Sequence, residues 1–192
     1  HMSLILLTGI SKYIFNIFLC FLKEEREKDI ENRMLTALEN REFTVYYQPK
    51  VGLETGRVEG AEALVRWIHP EYGFMPPDSF IPVFEENGFI WRLDYYVSER
   101  VCQKIREWMD EGKPVVPISV NLSRNSLHYP GMIERYARIV AEEKLEAKCV
   151  PIELTESAEQ QMIQIKDLAQ KMVELGFPLH MDDFGAGYAG IN

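Results

Sequence analysis

Oxygen-bearing side chains recur along the predicted strands of this sequence, in the order Glu62, Asn121, Glu153, Asp182 and Asp183. Each lies on, or toward the end of, a segment whose β-branched and aromatic residues are typical of a strand. Carboxylate and amide oxygens without cysteine form a hard ligand shell, which suits Mg²⁺ or Mn²⁺ better than a soft metal. So many carboxylates repel one another unless cations lie between them, and this arrangement is typical of two-metal phosphoester hydrolysis.

His180 precedes Asp182 by two residues, so the two alternate toward the same side of a strand. A lone histidine is weak evidence for a metal ligand when the oxygen set suffices without it. We therefore expect His180 to lie in the core.

The elements that must position these groups follow a regular order. Strands are predicted at 43–51, 58–67, 115–122, 150–154 and 179–182, and helices at 80–87, 93–111, 132–144 and 160–175, with a Gly- and Pro-rich loop at 69–78. An opening hairpin followed by alternating strands and helices predicts an α/β fold with a parallel sheet, open or closed into a barrel. Acidic residues toward the C-terminal ends of four consecutive strands fit a (β/α) barrel, whose active site lies at that end.

The N-terminal residues divide into two segments of contrasting character. Residues 4–22 are almost entirely apolar and approach the length of about 20 residues that spans a bilayer. One reading is a transmembrane or interfacial anchor; the other is a helix packed on protein, which Lys12 in mid-run and Gly9 favour. Residues 23–33 carry dense charge of both signs and predict a solvated linker helix. The predicted division is therefore 1–22, 23–33 and a domain at 34–192.

Composition and charge exclude several classes of protein. Hydrophobic residues make up 46% of the chain and charged residues 27%, so it is globular. A formal net charge of −9 argues against binding DNA or RNA polymers, which needs a basic surface. The 3 cysteines form no CxxC pair, so structural zinc and disulfides are not expected. The expected location is the cytoplasm, with membrane association through residues 4–22 as the alternative.

Six motifs in order resemble those of the EAL domain family. They are YYQPK at 46–50, EAL at 62–64 within EALVRWIHP, FIP at 80–82, VNLS at 120–123, ELTES at 153–157 and DDFG at 182–185. A lone EAL tripeptide is uninformative, but six motifs in the same order over some 150 residues are specific. The resemblance runs from about residue 34 to the end of the sequence.

The resemblance implies a TIM-type (β/α) barrel whose first strand is antiparallel, and hydrolysis of cyclic di-GMP to pGpG with Mg²⁺ or Mn²⁺. It implies that Glu62, Asn121, Glu153 and Asp182 hold the first metal ion and that Asp183 holds or bridges to the second, with Glu62 and Asp183 as the catalytic carboxylates. It also places Gln48, Leu64 and Arg66 against the ligand, and makes Glu156 the support of the loop after Asp183. Gln48 as a backbone cap and Leu64 as a core residue are the structural alternatives.

Two departures from the family pattern lower the expected activity. The loop that reads GTGYSSL in the family reads GAGYAGI at 185–191, so Ala186 and Ala189 lack hydroxyl groups. The family continues past the position of Asn192 with three more strands, which supply a Lys, a further acid and a Gln around the attacking water. Without those groups, we expect this barrel of about five strands to be inactive or very feeble.

An open barrel edge invites pairing with another chain. We therefore expect a homodimer or other self-association, through that edge or the apolar helix, with residues 10–22 shielding the barrel or forming the dimer contact. The competing hypotheses are a phosphodiesterase in its intact form, a non-catalytic module that binds cyclic di-GMP or a protein, and a mere fragment. The charged segment at 23–33 fits an upstream sensor or cyclase domain.

Overall fold

The computed structural model describes residues 2–155 and 162–182, and the side chains of residues 12–154 and 166–180. The helices are α1 (Met2–Glu39), α2 (Ile81–Glu86), α3 (Ile90–Asp110), α4 (Arg124–Leu127), α5 (Met132–Glu142) and α6 (Met162–Glu174). The strands are β1 (Phe43–Val51), β2 (Val58–His69), β3 (Gly73–Met75), β4 (Ile118–Leu122), β5 (Ile152–Thr155) and β6 (Leu179–Asp182). Two short 3₁₀ helices lie at Pro77–Ser79 and Ala147–Cys149.

The strands form one mixed sheet in the order β1-β2-β4-β5-β6, with β3 paired to β2. β1 and β3 run antiparallel to β2, whereas β4, β5 and β6 continue from β2 in parallel. The predicted α/β fold is confirmed as an incomplete TIM-type barrel with an antiparallel first strand. The described sheet has 6 strands, one more than the five predicted. The additional strand is β3, which was not predicted because it has only 3 residues and lies in a Gly- and Pro-rich segment without a strand pattern.

Alternate residues of each strand point to opposite faces of the sheet, and the outer face is apolar. Fully buried Trp67 contacts Phe43, Phe80 and Phe84, with ring centroids 5.0, 5.6 and 5.8 Å away. Helix α3 buries a stripe at helical spacing that packs over the sheet and against α5. Its buried apolar members are Ile90, Leu93, Val97, Val101 and Ile105.

Proline residues set where three of the parallel strands begin. Pro117, Pro151 and Pro178 directly precede β4, β5 and β6. Each carbonyl accepts a hydrogen bond from the neighbouring strand, at 2.9, 2.9 and 2.8 Å respectively. A proline has no amide hydrogen to donate, so within a sheet it is confined to the start of a strand, to a bulge, or to an edge strand such as β1, which contains Pro49. The predicted starts at 115 and 150 were therefore too early.

Helix α1 runs without a break through the predicted boundaries after residues 22 and 33. Its second half docks on the domain: Ile30 and Ala37 are fully buried, and Arg33 donates to Glu42 at 2.5 and 3.0 Å. Glu42 also accepts a hydrogen bond from Trp67 Nε1 at 3.0 Å, so α1 is tied to β2.

The first half of α1 is exposed wherever its side chains are described. Residues 12–22 are all exposed, including Phe15, Phe18 and Phe21, so the expectation that they shield the sheet is wrong. The division into anchor, linker and domain stays a prediction. None of the helices in the described ranges combines the length and apolar character needed to cross a membrane.

Candidate functional site

The inner face of the sheet collects the predicted polar residues. Glu62 pairs with Gln48 across β1 and β2, and Asn121 pairs with Glu153 across β4 and β5. Because side chains alternate along a strand, these four residues occupy the same face. Asp182 pairs with Thr155 at the end of β6, but its side chain lies outside the described part of the structure.

Asn121 and Glu62 contact each other directly. Asn121 Nδ2 donates a hydrogen bond to Glu62 Oε1 at 2.8 Å, and both side chains are half-buried. An amide placed against a carboxylate leaves the amide oxygen as a second hard donor. The fold therefore brings two of the predicted oxygen ligands within hydrogen-bond distance of each other, and their role as metal ligands stays a prediction.

Glu153 is paired with a lysine that sequence reasoning did not assign to the site. Lys50 Nζ forms an ion pair with the Glu153 carboxylate and lies 3.0 Å from Ser119 Oγ. The Glu153 side chain is only 7% exposed, against 45% for Lys50. Burial raises the pKa of Glu153. The Lys50 ammonium and the Ser119 hydroxyl lower it by more than burial raises it, so the pKa of Glu153 lies below its usual value. The sequence did contain one indication that Lys50 faces the site: Lys50 lies two residues beyond Gln48, so both side chains are on the same face of β1.

His180 lies on this face rather than in the core, which corrects the expectation for it. Its side chain is 56% exposed, and Nδ1 lies 3.8 Å from Glu153 Oε1. His180 pairs with Glu153 across β5 and β6, and the pleat turns both toward the open side of the sheet. A cavity of about 420 Å³ opens there, lined by Lys50, Ser119 and His180 with the three strand-initiating prolines.

The three predicted ligand-contacting residues share the inner face: Gln48 lies opposite Glu62, and Leu64 and Arg66 lie farther toward the C-terminal end of β2. Gln48 is exposed and Leu64 is half-buried, so Leu64 is not part of the closed core. Arg66 Nη1 donates to the carbonyl of Val65 at 2.8 Å, and its guanidinium lies 5.9 Å from the centroid of the Tyr46 ring. Within residues 12–154 and 166–180, no carboxylate forms an ion pair with Arg66.

The chemistry of the donor set fits a hard divalent cation. Glu62, Asn121 and Glu153 supply carboxylate and amide oxygens from three adjacent strands. Among the side chains that the structure describes, no three His, Cys, Asp or Glu residues are close enough to hold a metal ion together. Asp183, Glu156 and the loop at 185–191 lie outside the described residues, so their predicted roles remain predictions.

A buried carboxylate anchors the loop that follows Asn121. Asp94 on α3 accepts hydrogen bonds from Ser123 N at 2.9 Å and from Ser126 Oγ at 2.6 Å. Ser123 Oγ in turn donates to Glu85 at 2.7 Å. Burial raises the pKa of Asp94 to about 7, against the lowering effect of the two serine hydrogen bonds, and nearby Glu85 adds to the rise. This anchor was missed because nothing in the spacing of the sequence links residue 94 to residue 123.

Lys50→Met should destabilise the folded chain because it leaves the buried Glu153 carboxylate without its cation. We expect the free energy of unfolding to fall by about 1–3 kcal/mol, since Lys50 is half-exposed and water compensates part of the loss. Urea unfolding measures this change, and Glu153→Gln in the same background should recover most of it. Lys148→Met is the matched control, because Lys148 pairs only with exposed Glu146 and should change stability by less than about 0.5 kcal/mol. Equal effects of the two lysine variants would contradict the assignment.

Asp94→Asn should flatten the pH dependence of stability. Between the usual value of 3.8 and the raised pKa of about 7, the folded chain holds a proton that the unfolded chain has released. The free energy of unfolding of the wild type therefore falls as pH rises through this window, by at most about 1.4 kcal/mol per pH unit for one proton. Urea unfolding at pH 5, 6, 7 and 8 should show a smaller fall in Asp94→Asn. Asp110→Asn, at the exposed end of the same helix, should keep the wild-type slope; an unchanged slope in Asp94→Asn would refute the raised pKa.

Curated relatives are about one third identical to this chain over the region that aligns. MucR of Pseudomonas aeruginosa, a bifunctional diguanylate cyclase/cyclic di-GMP phosphodiesterase, is 32% identical over 160 residues, which cover 81% of this chain and 23% of MucR. The cyclic di-GMP phosphodiesterase NbdA of the same organism is 34% identical over 167 residues, covering 86% of this chain and 21% of NbdA. The chain thus spans about a quarter of the length of these relatives or less.

Solved structures show the same architecture. The PaMucR phosphodiesterase in complex with c-di-GMP superposes with a TM-score of 0.77 and 31% identity, over 84% of this chain and 66% of that chain. The FimX EAL domain from Pseudomonas aeruginosa bound to c-di-GMP gives a TM-score of 0.72 over 82% of this chain and 63% of that chain; at 24% identity, it supports the fold alone. The profile described as EAL domain matches residues 31–192, and the chain therefore belongs to the EAL domain family.

Proposed function

We propose that this chain is the cyclic di-GMP-recognising part of a module that hydrolyses cyclic di-GMP to pGpG with two divalent cations. The observation that carries the proposal is the inner face of the sheet, where Glu62, Asn121 and Glu153 converge. Arg66 lies on the same face, two positions from Leu64. Relatives named as cyclic di-GMP phosphodiesterases and a related structure in complex with c-di-GMP support this ligand.

Recognition of the ligand falls to Arg66 and its neighbours. A guanidinium binds a phosphodiester through two parallel N–H donors, and the lack of a carboxylate partner among the described side chains leaves Arg66 available for this contact. Gln48, exposed beside Glu62, offers both an amide donor and an amide acceptor to the same ligand. Leu64 contributes an apolar contact to the ligand on the same face as Gln48 and Arg66.

The proposed metal site consists of Glu62, Asn121 and Glu153, completed by Asp182 and Asp183, with Glu156 supporting the following loop. Bound Mg²⁺ or Mn²⁺ would supply Lewis acidity toward the phosphoryl oxygens. The protein supplies the fixed positions: Asn121 holds the Glu62 carboxylate through its 2.8 Å hydrogen bond, and Asp94 fixes the loop after Asn121. Glu153 stays ionised near neutral pH, because Lys50 and Ser119 keep its pKa low despite burial.

A non-catalytic module that binds cyclic di-GMP is the second candidate, and one observation favours it. The Lys50 ammonium forms an ion pair with the Glu153 carboxylate, and the Asn121 amide donates a hydrogen bond to the Glu62 carboxylate. A divalent cation on Glu153 would therefore have to compete with the Lys50 ammonium for the same carboxylate. Ligand recognition through Arg66 would remain in such a module.

Binding and turnover of cyclic di-GMP should separate the two candidates. Isothermal titration with cyclic di-GMP should detect binding to the wild type and a loss of about tenfold or more in Arg66→Lys, because lysine cannot make the bidentate contact. Arg57→Lys, in the exposed turn between β1 and β2, is the matched control and should bind like the wild type. Formation of pGpG in Mn²⁺ that is lost in Glu62→Gln, with binding retained, supports the phosphodiesterase.

Turnover in either Mg²⁺ or Mn²⁺ would exclude the non-catalytic candidate, whereas binding without turnover agrees with a non-catalytic module and also with the expected inactivity of this chain. Failure of the wild type to bind cyclic di-GMP would exclude both candidates. Equal affinity of Arg66→Lys and the wild type would contradict the proposed role of the guanidinium.

We also propose that the chain self-associates through the first half of α1. The exposed residues Phe15, Phe18 and Phe21 recur at a spacing of three and share one side of the helix, whereas exposed Tyr13 lies on another side. A large exposed apolar surface marks a contact with protein or with a membrane. The docked second half of α1 would then connect this contact to the domain.

Replacing Phe15, Phe18 and Phe21 together by Ser should shift the chain toward a monomer in sedimentation velocity experiments across a concentration series. The control is the pair Val173→Ser and Leu175→Ser, at the exposed end of α6, which should leave the distribution unchanged. A wild type that is monomeric at all concentrations but pelleted by lipid vesicles would contradict self-association and support membrane association through residues 4–22.

A further inference from the structure

Two aromatic side chains, Tyr46 on β1 and Phe74 on β3, are exposed on the inner face. Tyr46 is 50% exposed and Phe74 is 55% exposed, and their ring centroids lie 6.5 Å apart with an interplanar angle of 50°. Tyr46 lies opposite Leu64, and Phe74 lies opposite Ile68. We call this pair, Tyr46 and Phe74, the aromatic ledge.

The aromatic ledge contrasts with the aromatic residues that form the core on the outer face. Phe43, Trp67 and Phe80, which belong to the outer face or the helix packed on it, are buried. The pleat alone therefore does not explain two large rings left half in water on the polar face. Their exposure indicates a surface that accepts a planar, partly apolar partner.

The charge beside the aromatic ledge defines the chemistry of that partner. The guanidinium of Arg66 lies 5.9 Å from the centroid of Tyr46, and no ion pair occupies it among the side chains described. A cation for a phosphodiester and two rings for a flat base match the two halves of a nucleotide. An aliphatic or purely anionic ligand would use only one of these halves.

The spacing along the strands agrees with one ligand that reaches both the acids and the ledge. Tyr46 is two residues from Gln48, which lies opposite Glu62, and this separation corresponds to about 7 Å along β1. Arg66 is four residues beyond Glu62 on β2, on the side toward Phe74. The aromatic ledge therefore lies beyond Glu62 on the inner face, toward the C-terminal end of β2.

We propose that Tyr46 and Phe74 stack a purine base of the nucleotide whose phosphate is bound by Arg66. The inference rests on the proposed recognition of cyclic di-GMP and assigns to the ledge the base, which the acids and Arg66 do not contact. Stacking accepts any base, so the ledge contributes affinity and orientation rather than a preference for guanine.

Isothermal titration of the full chain with cyclic di-GMP, in Ca²⁺ in place of Mg²⁺, tests the ledge. Tyr46→Ala and Phe74→Ala should each weaken binding by about 5- to 100-fold, the range expected for loss of one base–aromatic stack. Tyr46→Phe keeps the ring and should bind like the wild type. Phe21→Ala, an equally exposed aromatic on α1, is the matched control and should have no effect on affinity.

Two further probes distinguish stacking from a change in the fold. A cyclic dinucleotide that carries 2-aminopurine should lose fluorescence on binding to the wild type, and this quenching should be reduced in Tyr46→Ala and Phe74→Ala. An analogue of the cyclic ribose phosphate without bases should bind the wild type and both alanine variants equally. Thermal unfolding of each variant should occur near the wild-type temperature, since both rings are half-exposed.

The outcomes separate this inference from the proposed function. If the wild type does not bind cyclic di-GMP, the proposed function fails and this inference fails with it. If the wild type binds and both alanine variants bind equally well, the ledge alone is refuted. An equal loss of affinity for the analogue without bases, or a change in self-association with unchanged ligand affinity, would also overturn the inference.

Discussion

The pleat of the sheet is the constraint on which the site depends, because it assigns every second residue of a strand to the same face. On β2 this rule sends Ala61, Ala63 and Trp67 to the helices and Glu62 and Arg66 to the inner face. The pairing of Gln48 with Glu62 and of Asn121 with Glu153 extends the same division across the sheet. A slip of one residue in any strand would exchange the two faces, so burial of Trp67 in the aromatic core also fixes the register of Glu62.

Charge on the inner face has to be balanced, and at Glu153 a lysine side chain contributes to that balance. Glu153 is buried, so its carboxylate is stable only beside a cation or several hydrogen-bond donors. Lys50 supplies the cation from β1, and Ser119 on β4 lies within reach of the same ammonium. A divalent cation on Glu153 would compete with Lys50 for the same oxygens. The position of Lys50 therefore bears on whether the face serves hydrolysis or binding alone.

The sequence predicted most of the framework, because local patterns carry that information. The bounds of β1 and β6 agree with the predicted strands, since their ends coincide with turn residues and with the end of an alternating run. The early starts predicted for β4 and β5 came from apolar residues before Pro117 and Pro151, where the ladder cannot yet form. Short elements such as β3 and α4 depend on tertiary contacts that no local pattern contains.

The candidate site could be predicted only as far as its motifs extend. Glu62, Asn121 and Glu153 were identified because oxygen ligands at strand ends have a recognisable spacing, and Arg66 because it lies within EALVR. The sequence places Lys50 in the YYQPK motif but does not predict its ion pair with Glu153, because the two residues are 103 positions apart. His180 was misplaced because a residue expected inside a closed barrel lies on an open face in the described sheet.

Two buried carboxylates, Asp94 and Glu153, and the partly buried Glu42 show how the surroundings decide the charge state of a carboxylate, and this decides what each group can do. Burial raises the pKa of Glu42, Asp94 and Glu153 alike. Arg33 and Trp67 outweigh that effect at Glu42, and Lys50 and Ser119 outweigh it at Glu153, so the pKa of both lies below its usual value. Asp94 has only neutral donors and the negative charge of Glu85 nearby, so its pKa rises to about 7. Glu153, which faces the site, is thus kept ionised. Asp94, which anchors the loop after Asn121, is protonated in part of the molecules near neutral pH. A ligand or cation brought to the inner face meets an ionised Glu153 that is already paired with Lys50, while the support behind Asn121 needs no counterion of its own.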